Sequence, residues 1–430
     1  MSTTLHNIKL EPWWWEEAPR PTLAAAELPK SVDVVVVGSG YTGLSAALVL
    51  ARAGRSVLIF DREAAGWGAS SRNQGHIGAS FKHGLRKLSE THGAATADRI
   101  FSEGLEAVES CKRLVDNEHI DCRVEHRGRL IAACSPTHYD ALASETELRK
   151  ARVNLDADLV SRDELSQHIG SDRFYGGALM HREASLHGGL FHLGLLNRVQ
   201  TEGVTISAHT DVLNIEAEKH DFDVTTSRGH VRARDVIVAT NGYTGGLTRA
   251  LQRRVVPVNS FGIATEPLEP ARLDRLLPGR RPCVDTLNLA HGFRIAPGTN
   301  RLIFGTRPPT GRQDLTSAAA HLRREMLSVF PALADVRITH GWTGFTAFPF
   351  ELMPHIGKRD GVHYAMGYCG YGVSLAPYFG RKLAFRILGD RRGDTVFSEL
   401  PFPTRPLYYG NPWFLSLVLL KFRWQDNRCR

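Results

Sequence analysis

The sequence has few cysteines, and they lie far from one another. Zinc sites and disulfide frameworks both use cysteines at short, recurring spacings, and no Cys-x-x-Cys pair occurs in this chain. We therefore predict no metal site and no disulfide framework, and unpaired thiols favour a reducing, cytoplasmic setting. The six residues are Cys111, Cys122, Cys134, Cys283, Cys369 and Cys429.

Long hydrophobic runs are also missing. The longest one near the C-terminus, WFLSLVLL at 413–420, is far shorter than the ~20 residues that a membrane-spanning helix needs. Residues 1–21 do not combine a charged segment with a following apolar one, so we predict no signal peptide. The C-terminal run is interpreted as a short helix packed on the body of the protein, with a position on a membrane surface as the alternative.

Basic residues exceed acidic ones, but they form no block. The formal net charge is +8, and the Lys and Arg residues are scattered along 430 residues. Because a nucleic-acid-binding surface concentrates its cations, we predict no nucleic-acid partner and interpret the charge as a solvated surface or a match for an anionic ligand. The chain is longer than the length at which a single hydrophobic core stops growing. The length therefore predicts two domains. The sequence does not indicate an oligomeric state.

Residues 33–61 have the pattern of a dinucleotide-binding unit. The apolar run DVVVV at 33–37 is typical of a parallel strand buried on both faces, and GSGYTG follows it at 38–43. A helical segment then ends at Gly54, and SVLIFD at 56–61 is a second strand that closes on an acid. The glycines allow a tight turn, approach of a pyrophosphate and helix packing, while the acid binds ribose hydroxyls. The predicted contacts are Gly38, Ser39, Gly40, Thr42, Gly43, Asp61 and Arg62.

The loop GWGASSRNQGH at 66–76 indicates that the dinucleotide is FAD rather than NAD. It is rich in glycine, hydroxyl and amide groups directly after the second strand. A nicotinamide dehydrogenase has no need of such a segment, whereas an extended FAD needs donors for its ribityl chain and isoalloxazine edge. The predicted contacts are Gly68, Ala69, Ser70, Ser71, Arg72, Asn73, Gln74, Gly75 and His76.

The segments GSGYTGLSAALVLARAG…VLIFDRE and GWGASSRNQGH resemble the D-amino-acid oxidase superfamily of FAD oxidoreductases, and most closely its γ-glutamylputrescine oxidase branch. The resemblance implies an α/β fold with two domains, each discontinuous in sequence. A Rossmann-like FAD-binding domain is expected at 30–85, 187–250 and 341–398, and a substrate domain with a mixed, largely antiparallel sheet at 86–186 and 251–340. Residues 1–29 are expected to form an N-terminal arm, and residues 399–430 a tail packed on the body.

The resemblance also implies further contacts with the cofactor. Strand 3 of the family pattern ends near Val212, and the sequence ATNG supplies Ala239, Thr240 and Gly242. The segment GYCGYGVSLAPYFG resembles the closing flavin segment, in which amide groups at a helix N-terminus stabilise negative charge on the reduced flavin. Its predicted contacts are Gly370, Tyr371, Gly372 and Val373. Asn73 stands about where relatives carry a flavin-linking histidine, so we predict non-covalent FAD, with His76 as the alternative link.

The implied reaction oxidises a C–H bond next to an amine nitrogen, by hydride transfer to flavin N5. The resulting imine hydrolyses, and O₂ takes the electrons to give H₂O₂. A dehydrogenase that passes electrons to a quinone or carrier is the alternative, and a flavoprotein of tRNA modification is a third. Some relatives place a lysine near the flavin for the reaction with O₂, and RLIFGTR at 301–307 has none. The candidate catalytic residues are Arg294, Arg307, His291 and Tyr371.

Arginine is suited to a substrate carboxylate because its planar fork matches two oxygens. Arg294 lies within a predicted strand, where an unpaired arginine is costly to bury, so it is the leading candidate and Arg307 the second. Either Arg307 or a protonated His291 is the candidate cation for the reaction with O₂. The aromatic residues expected to wall a slot for the amine are Phe261, Trp342, Phe348 and Tyr371.

Overall fold

The computed structural model describes residues 7–23, 26–307 and 314–429. The strands are β1 Ser31–Val37, β2 Val57–Phe60, β3 His76–Ile77, β4 Arg129–Ala132, β5 Ala157–Val160, β6 Gly177–Met180, β7 Ala184–Ser185, β8 Thr205–Ser207, β9 Val212–Ala217, β10 Phe222–Thr226, β11 Gly229–Val238, β12 Val255–Thr265, β13 Cys283–Asp285, β14 Gly292–Ile295, β15 Leu302–Thr306, β16 Ile338–Pro349, β17 His355–Arg359 and β18 Val362–Met366. The α-helices are α1 Trp14–Glu17, α2 Tyr41–Arg52, α3 Leu85–His92, α4 Ala94–Asn117, α5 Pro136–Val153, α6 Gly188–Thr201, α7 Arg249–Gln252, α8 Pro270–Leu276, α9 Leu315–Val329, α10 Gly372–Ile387 and α11 Leu415–Asn427.

The first sheet has the order β17-β18-β11-β1-β2-β8, with β10 and β9 attached at β11. β1 pairs in parallel with both β2 and β11. Val34 and Val36 pack into one buried cluster and Val35 and Val37 into another, because successive side chains of a strand point to opposite faces. This arrangement explains the uninterrupted valine run and confirms the predicted central parallel strand.

α2 packs closely on one face of this sheet. A Cβ atom on Gly43 would overlap the carbonyl oxygen of Gly38, and one on Gly380 of α10 would overlap the carbonyl of Thr42. Small residues at these points therefore let α2 approach both the β1 turn and α10. Gly54 has φ +76° just after the helix, where glycine is favoured, as the sequence predicts.

The second sheet has the order β16-β12-β15-β14-β13-β4-β6-β5. Its pairings are antiparallel except for β13 with β4. β14 and β15 form the predicted hairpin around PGTN at 297–300. Phe293 and Phe304 stack in the core that α9 covers with Leu322 and Met326. The mixed α/β class is confirmed, with a first sheet built around parallel strands and a second that is largely antiparallel.

The division into domains differs from the prediction at two places. β16 pairs with β12 along its whole length, so the strand continues through the expected boundary at residue 341, and the chain rejoins the first sheet at β17. Ile100 and Val108 of α4 belong to the same buried cluster as α2 and α10. The helical part of 86–186 therefore packs with the first sheet, because the apolar face of α4 is buried in the cluster that also contains α2 and α10. The rest of the division stays a prediction.

In the described part of the chain, no helix is both long and apolar enough to cross a bilayer.

Candidate cofactor and active site

A cavity of about 400 Å³, here named the nucleotide cavity, lies where β1, β2 and β11 end. Val37, Phe60 and Ala239, at or just beyond the carboxyl ends of these strands, line it, which is where open α/β sheets bind their ligands. The predicted contacts that line it are Gly38, Gly40, Thr42, Asp61, Arg62, Gly68, Ala69, Ser70, Asn73, Val212, Ala239, Thr240, Gly370, Gly372 and Val373.

The turn between β1 and α2 has the features of a phosphate site. Gly38 has φ +107°, and Gly40 is the N-cap of α2 without a side-chain capping bond. The first amide groups of a helix have no partner within it, and the helix dipole favours an anion there. A Cβ atom on Gly40 would lie 2.9 Å from Ser70 Oγ, so side-chain atoms at this position would obstruct the turn.

Ser39 supports Asp61 and does not itself line the cavity. The Ser39 backbone N–H and Oγ both donate to Asp61 Oδ2, at 2.9 and 2.5 Å. Desolvation raises the pKa of the Asp61 carboxyl above its ordinary value, and the hydrogen bonds from Ser39 act in the opposite direction. The carboxyl group is therefore fixed at the cavity wall, in the position expected for a ribose partner.

Loop 66–76 is held in shape by its own side chains and by groups from other segments, such as Arg294 and Trp342. Asn73 Nδ2 donates to the carbonyls of Ala69 and Ser70, and Asn73 Oδ1 accepts from the Gly75 N–H at 2.8 Å. Gly75 has φ +72°, and a Cβ atom there would overlap the Leu186 carbonyl. Gly75 thus shapes the loop and does not line the nucleotide cavity.

Two tryptophans, Trp15 from the N-terminal segment and Trp67 from the loop itself, enclose the Arg72 side chain. The Arg72 guanidinium lies 4.7 Å from the Trp15 ring centroid and 4.3 Å from that of Trp67. Ser71 is buried, accepts from Trp15 Nε1 at 2.9 Å and donates to the Gly66 carbonyl. Ser71 is therefore a positioning residue rather than a lining residue.

Two cofactor contacts differ from the prediction, one in the closing segment and one in the ATNG segment at 239–242. The Tyr371 N–H donates to the Tyr368 carbonyl at 2.9 Å, so this amide is used by the turn that precedes α10 and is not free for a flavin. Gly242 packs against Phe345 and does not line the nucleotide cavity. Gly370, with φ +104°, and Gly372 do line it.

A second cavity of about 220 Å³, here named the adjoining cavity, meets the nucleotide cavity. Both are lined by Ala69, Asn73, Phe345, Thr346, Gly370 and Val373. The predicted aromatic residues Phe261, Trp342 and Tyr371 line the adjoining cavity. Its predicted polar residues are Arg72, Gln74, His76 and Arg307, and it also contains Lys82 and Arg129, which no sequence motif indicated.

The adjoining cavity has an excess of positive charge. Arg129 is paired with Glu183, whereas neither Lys82 nor Arg307 forms an ion pair with any residue that the structure describes. Arg307 stacks on Phe348, with 4.9 Å between guanidinium and ring centroid. Desolvation lowers the pKa of Arg307. Desolvation and the neighbouring Arg307 charge both lower the pKa of Lys82. An anionic group entering this space would meet several cations, of which Lys82 and Arg307 have no acidic partner among the described residues.

His76 is uncharged in this cavity. Desolvation and the charges of Arg294 and Arg129 hold its pKa well below the ordinary value of 6.5. Its Nε2 is buried and makes no hydrogen bond with the described residues. A neutral imidazole with a free nitrogen is therefore available to a ligand of the adjoining cavity.

Arg294 does not occupy the expected position for a substrate residue. Its side chain is completely buried and lines none of the cavities described here. Its Nη1 donates to the carbonyls of Gln74, Gly75 and Leu186, and Nη2 pairs with Glu125 at 3.3 Å. A buried mid-strand arginine needs partners, as the sequence indicated. The partners of Arg294 are groups of the protein itself, and through them Arg294 fixes loop 66–76.

His291 is likewise displaced from the predicted role. Its Nδ1 lies 2.5 Å from Asp285 Oδ2 and its Nε2 lies 3.3 Å from Glu325 Oε2. It lines a small cleft with Arg307 but not the adjoining cavity. Burial alone lowers the pKa of His291, but Asp285 and Glu325 outweigh it and raise the pKa to about 9. His291 is therefore a charged link between two carboxylates, which explains why it is not placed against the flavin.

This link makes stability depend on pH. Because the pKa of His291 is raised from 6.5 to about 9 by folding, its contribution is complete below 6.5 and is lost as pH rises through 9. We expect the Tm of the protein to fall by about 2–5 °C over that interval. Thermal unfolding followed at a series of pH values measures this, and His291→Gln should flatten the profile. The exposed-site variant His230→Gln should leave it unchanged.

The comparisons with known proteins agree over most of the chain. Residues 33–386 match the family described as FAD dependent oxidoreductase (DAO). The chain is 31% identical over 377 residues to the probable oxidoreductase OrdL of Haemophilus influenzae, with 86% of each protein covered. It is 30% identical over 372 residues to the gamma-glutamylputrescine oxidoreductase of Escherichia coli, again with 86% of each covered. The solved glycine oxidase of Geobacillus kaustophilus is similar with a TM-score of 0.72 and 19% identity, covering 88% of this chain and 99% of that one.

The polar groups and the glycine turn that line the nucleotide cavity fit an FAD. The Gly38–Gly43 turn can receive the pyrophosphate, Asp61 the ribose, and loop 66–76 with the start of α10 the isoalloxazine ring, although these individual assignments stay predictions. The matched region runs from β1 into α10 and so includes both sheets and the residues around both cavities. The chain therefore belongs to the DAO family of FAD-dependent oxidoreductases, as its sequence motifs indicated.

Proposed function

We propose that this protein is an oxidase of an amine that also carries a carboxylate, with O₂ as the electron acceptor. Amino acids, γ-glutamyl-polyamines, carboxylated secondary amines and cyclic imino acids belong to this class. The names of the relatives, a gamma-glutamylputrescine oxidoreductase and a glycine oxidase, support an amine as the electron donor. When bound, FAD supplies the two-electron acceptor for a C–H bond next to the amine nitrogen. We also propose that the protein holds FAD without a covalent link.

Arg307 carries this proposal, because it lies in the adjoining cavity and has no acidic partner among the described residues. Its guanidinium is half-buried, stacked on Phe348 and without an ion pair among the described residues, and its Nε is buried without a hydrogen bond to them. A carboxylate would accept two parallel hydrogen bonds from such a group. Arg307 would thereby hold the acid end of the substrate while the aromatic side chains of Phe261, Trp342 and Tyr371 enclose its carbon chain.

The same charges favour the reactive form of the amine. Oxidation requires the nitrogen lone pair, so an ammonium ion must lose its proton before the reaction. Lys82 and Arg307 disfavour a third positive charge in the adjoining cavity and so lower the pKa of a bound ammonium group. His76, in the tautomer with its proton on Nδ1, can accept a hydrogen bond from the neutral amine at Nε2.

A substrate panel under anaerobic conditions tests the proposal. The yellow holoenzyme is mixed with carboxylated amines and with matched amines that lack the carboxylate, and the loss of flavin absorbance is followed. We expect bleaching by carboxylated amines, and recovery with formation of H₂O₂ when air is admitted. Rapid bleaching with very slow recovery in air would identify a dehydrogenase instead. Failure of every amine to bleach the flavin would contradict the proposed substrate class.

Lys82 is proposed to assist the reduction of O₂. Negative charge develops on oxygen in that reaction, and a cation placed beforehand in a partly desolvated site stabilises it. Lys82→Met is expected to slow reoxidation by O₂ by about 10–100-fold, with a much smaller effect on anaerobic reduction by the amine. Stopped-flow measurement of the two half-reactions separates these rates.

Lys82→Arg is the matched variant, since it keeps the charge and should retain most of the rate with O₂. Unchanged reoxidation in Lys82→Met would exclude this role. A selective rise in KM for the amine would assign Lys82 to substrate binding instead.

A further inference from the structure

The outward face of the C-terminal helix α11 is apolar. Four large side chains project from it or from the residues just before it, at spacings of four, three and four residues, and they are 47–67% exposed. Such spacing places them in one stripe along a helix. The face of a surface helix that is exposed to water ordinarily consists of polar residues. The stripe consists of Trp413, Leu417, Leu420 and Trp424.

The opposite face of α11 is anchored to the body of the protein. Leu419 is buried, and the buried Asp426 carboxylate accepts from the backbone N–H groups of Asn288 and Leu289, both at 2.9 Å. The exposed Leu407 lies close to the stripe, since Trp413 Nε1 donates to its backbone carbonyl at 3.1 Å. The stripe is therefore a fixed surface rather than the unpacked side of a frayed end.

Cations flank the stripe, and negative charge is missing from it. Lys421, Arg423 and Arg428 are exposed along α11 and just after it, and Arg405 is exposed close to Leu407 in sequence. The only acid in residues 401–430 is Asp426, which is buried against the body. Every exposed charged side chain among the described residues 401–429 is therefore positive.

We propose that the stripe docks the enzyme on an anionic lipid surface. Tryptophan prefers the boundary between headgroups and acyl chains, and a helix with an apolar face flanked by Lys and Arg lies in that boundary. Each cation near the surface adds attraction to anionic headgroups. A second copy of the chain is a poorer occupant, because a twofold contact would bring the same cations together.

The docked face lies beside the proposed active site. Arg423 and Asp426 line the small cleft to which Arg307 also contributes, and Arg307 in turn lines the adjoining cavity. An enzyme docked through α11 would therefore hold its substrate-binding half close to the lipid.

Vesicle co-sedimentation of the full-length holoenzyme tests the proposal. Vesicles of phosphatidylcholine with phosphatidylglycerol are compared with vesicles of phosphatidylcholine alone, each in low and high salt. We expect binding to the mixed vesicles in low salt, together with a blue shift of tryptophan fluorescence. The double variant Leu417→Gln/Leu420→Gln should lower the partition coefficient at least about tenfold, and Lys421→Glu about fivefold or more.

Leu10→Gln is the matched control, because Leu10 is an exposed leucine outside the stripe and its replacement should leave binding unchanged. Retained flavin absorbance and Tm show that each variant is folded. Absence of wild-type binding to mixed vesicles in low salt overturns the proposal, and equal binding to phosphatidylcholine alone overturns the part played by the cations. A wild-type dimer that the double variant converts to a monomer, without lipid binding, assigns the stripe to a second copy.

Discussion

Replacement of Arg307 by methionine is expected to lower kcat/KM for a carboxylated amine by about two orders of magnitude or more. The methionine keeps the apolar stem against Phe348 but removes the charged hydrogen-bond donors that we assign to the carboxylate. Loss of one partner from a desolvated charge pair costs about 2–5 kcal/mol, because the other charge is left unpaired. Anaerobic stopped-flow reduction over a range of substrate concentrations measures kcat/KM.

The comparison that decides the assignment uses a matched amine without a carboxylate. For that substrate the Arg307→Met enzyme should lose much less kcat/KM, since no charge pair is lost and only the smaller effect of Arg307 on the ammonium pKa remains. Arg307→Lys should recover part of the activity because it keeps the charge without the planar fork. Arg301→Met removes an arginine that binds the Thr265 carbonyl and Thr339 Oγ1, and it should leave the kinetics unchanged. Equal losses on both kinds of amine would contradict carboxylate binding by Arg307.

The cofactor half of the site was accessible from sequence because its determinants are local. β1, the glycine turn, α2 and β2 follow one another directly, so the sterics that require Gly38 and Gly43 are set within residues 33–61. Loop 66–76 follows at once, and Asn73 supplies part of its internal hydrogen bonding. Short-range patterns of this kind are readable without knowledge of the tertiary fold.

The substrate half could not be predicted in the same way. Lys82, Arg129 and Arg307 come from three distant segments, and no spacing in the sequence links them. Arg294 and Arg307 both lie in or beside strands of one hairpin. Which of the two meets the cavity depends on strand register and on what covers each face, both of which arise from tertiary packing. The sequence argument ranked Arg294 first, whereas the structure places Arg307 and not Arg294 at the adjoining cavity.

Arg294→Met is expected to lower stability and FAD content rather than substrate affinity alone. The guanidinium is completely buried, and burial lowers its pKa to about 10 although Glu125 acts in the opposite direction. Its removal leaves the carbonyls of Gln74, Gly75 and Leu186 without this donor and Glu125 without its buried partner. Breaking a buried charge pair costs about 3–5 kcal/mol, and loop 66–76 loses the group that fixes its far end.

We therefore expect Arg294→Met to purify with substoichiometric flavin and a Tm lower by about 5 °C or more, with added FAD restoring part of both. Flavin absorbance per protein, thermal unfolding and kcat/KM per bound flavin are the three measurements. Enzyme molecules that do hold FAD should keep a KM close to wild type, because Arg294 is separated from the adjoining cavity by the loop that it supports. A stable, fully yellow variant with a greatly raised KM only for carboxylated amines would restore Arg294 as the substrate residue. In that case Arg307, despite its unpaired charge in the cavity, would have to be reassigned.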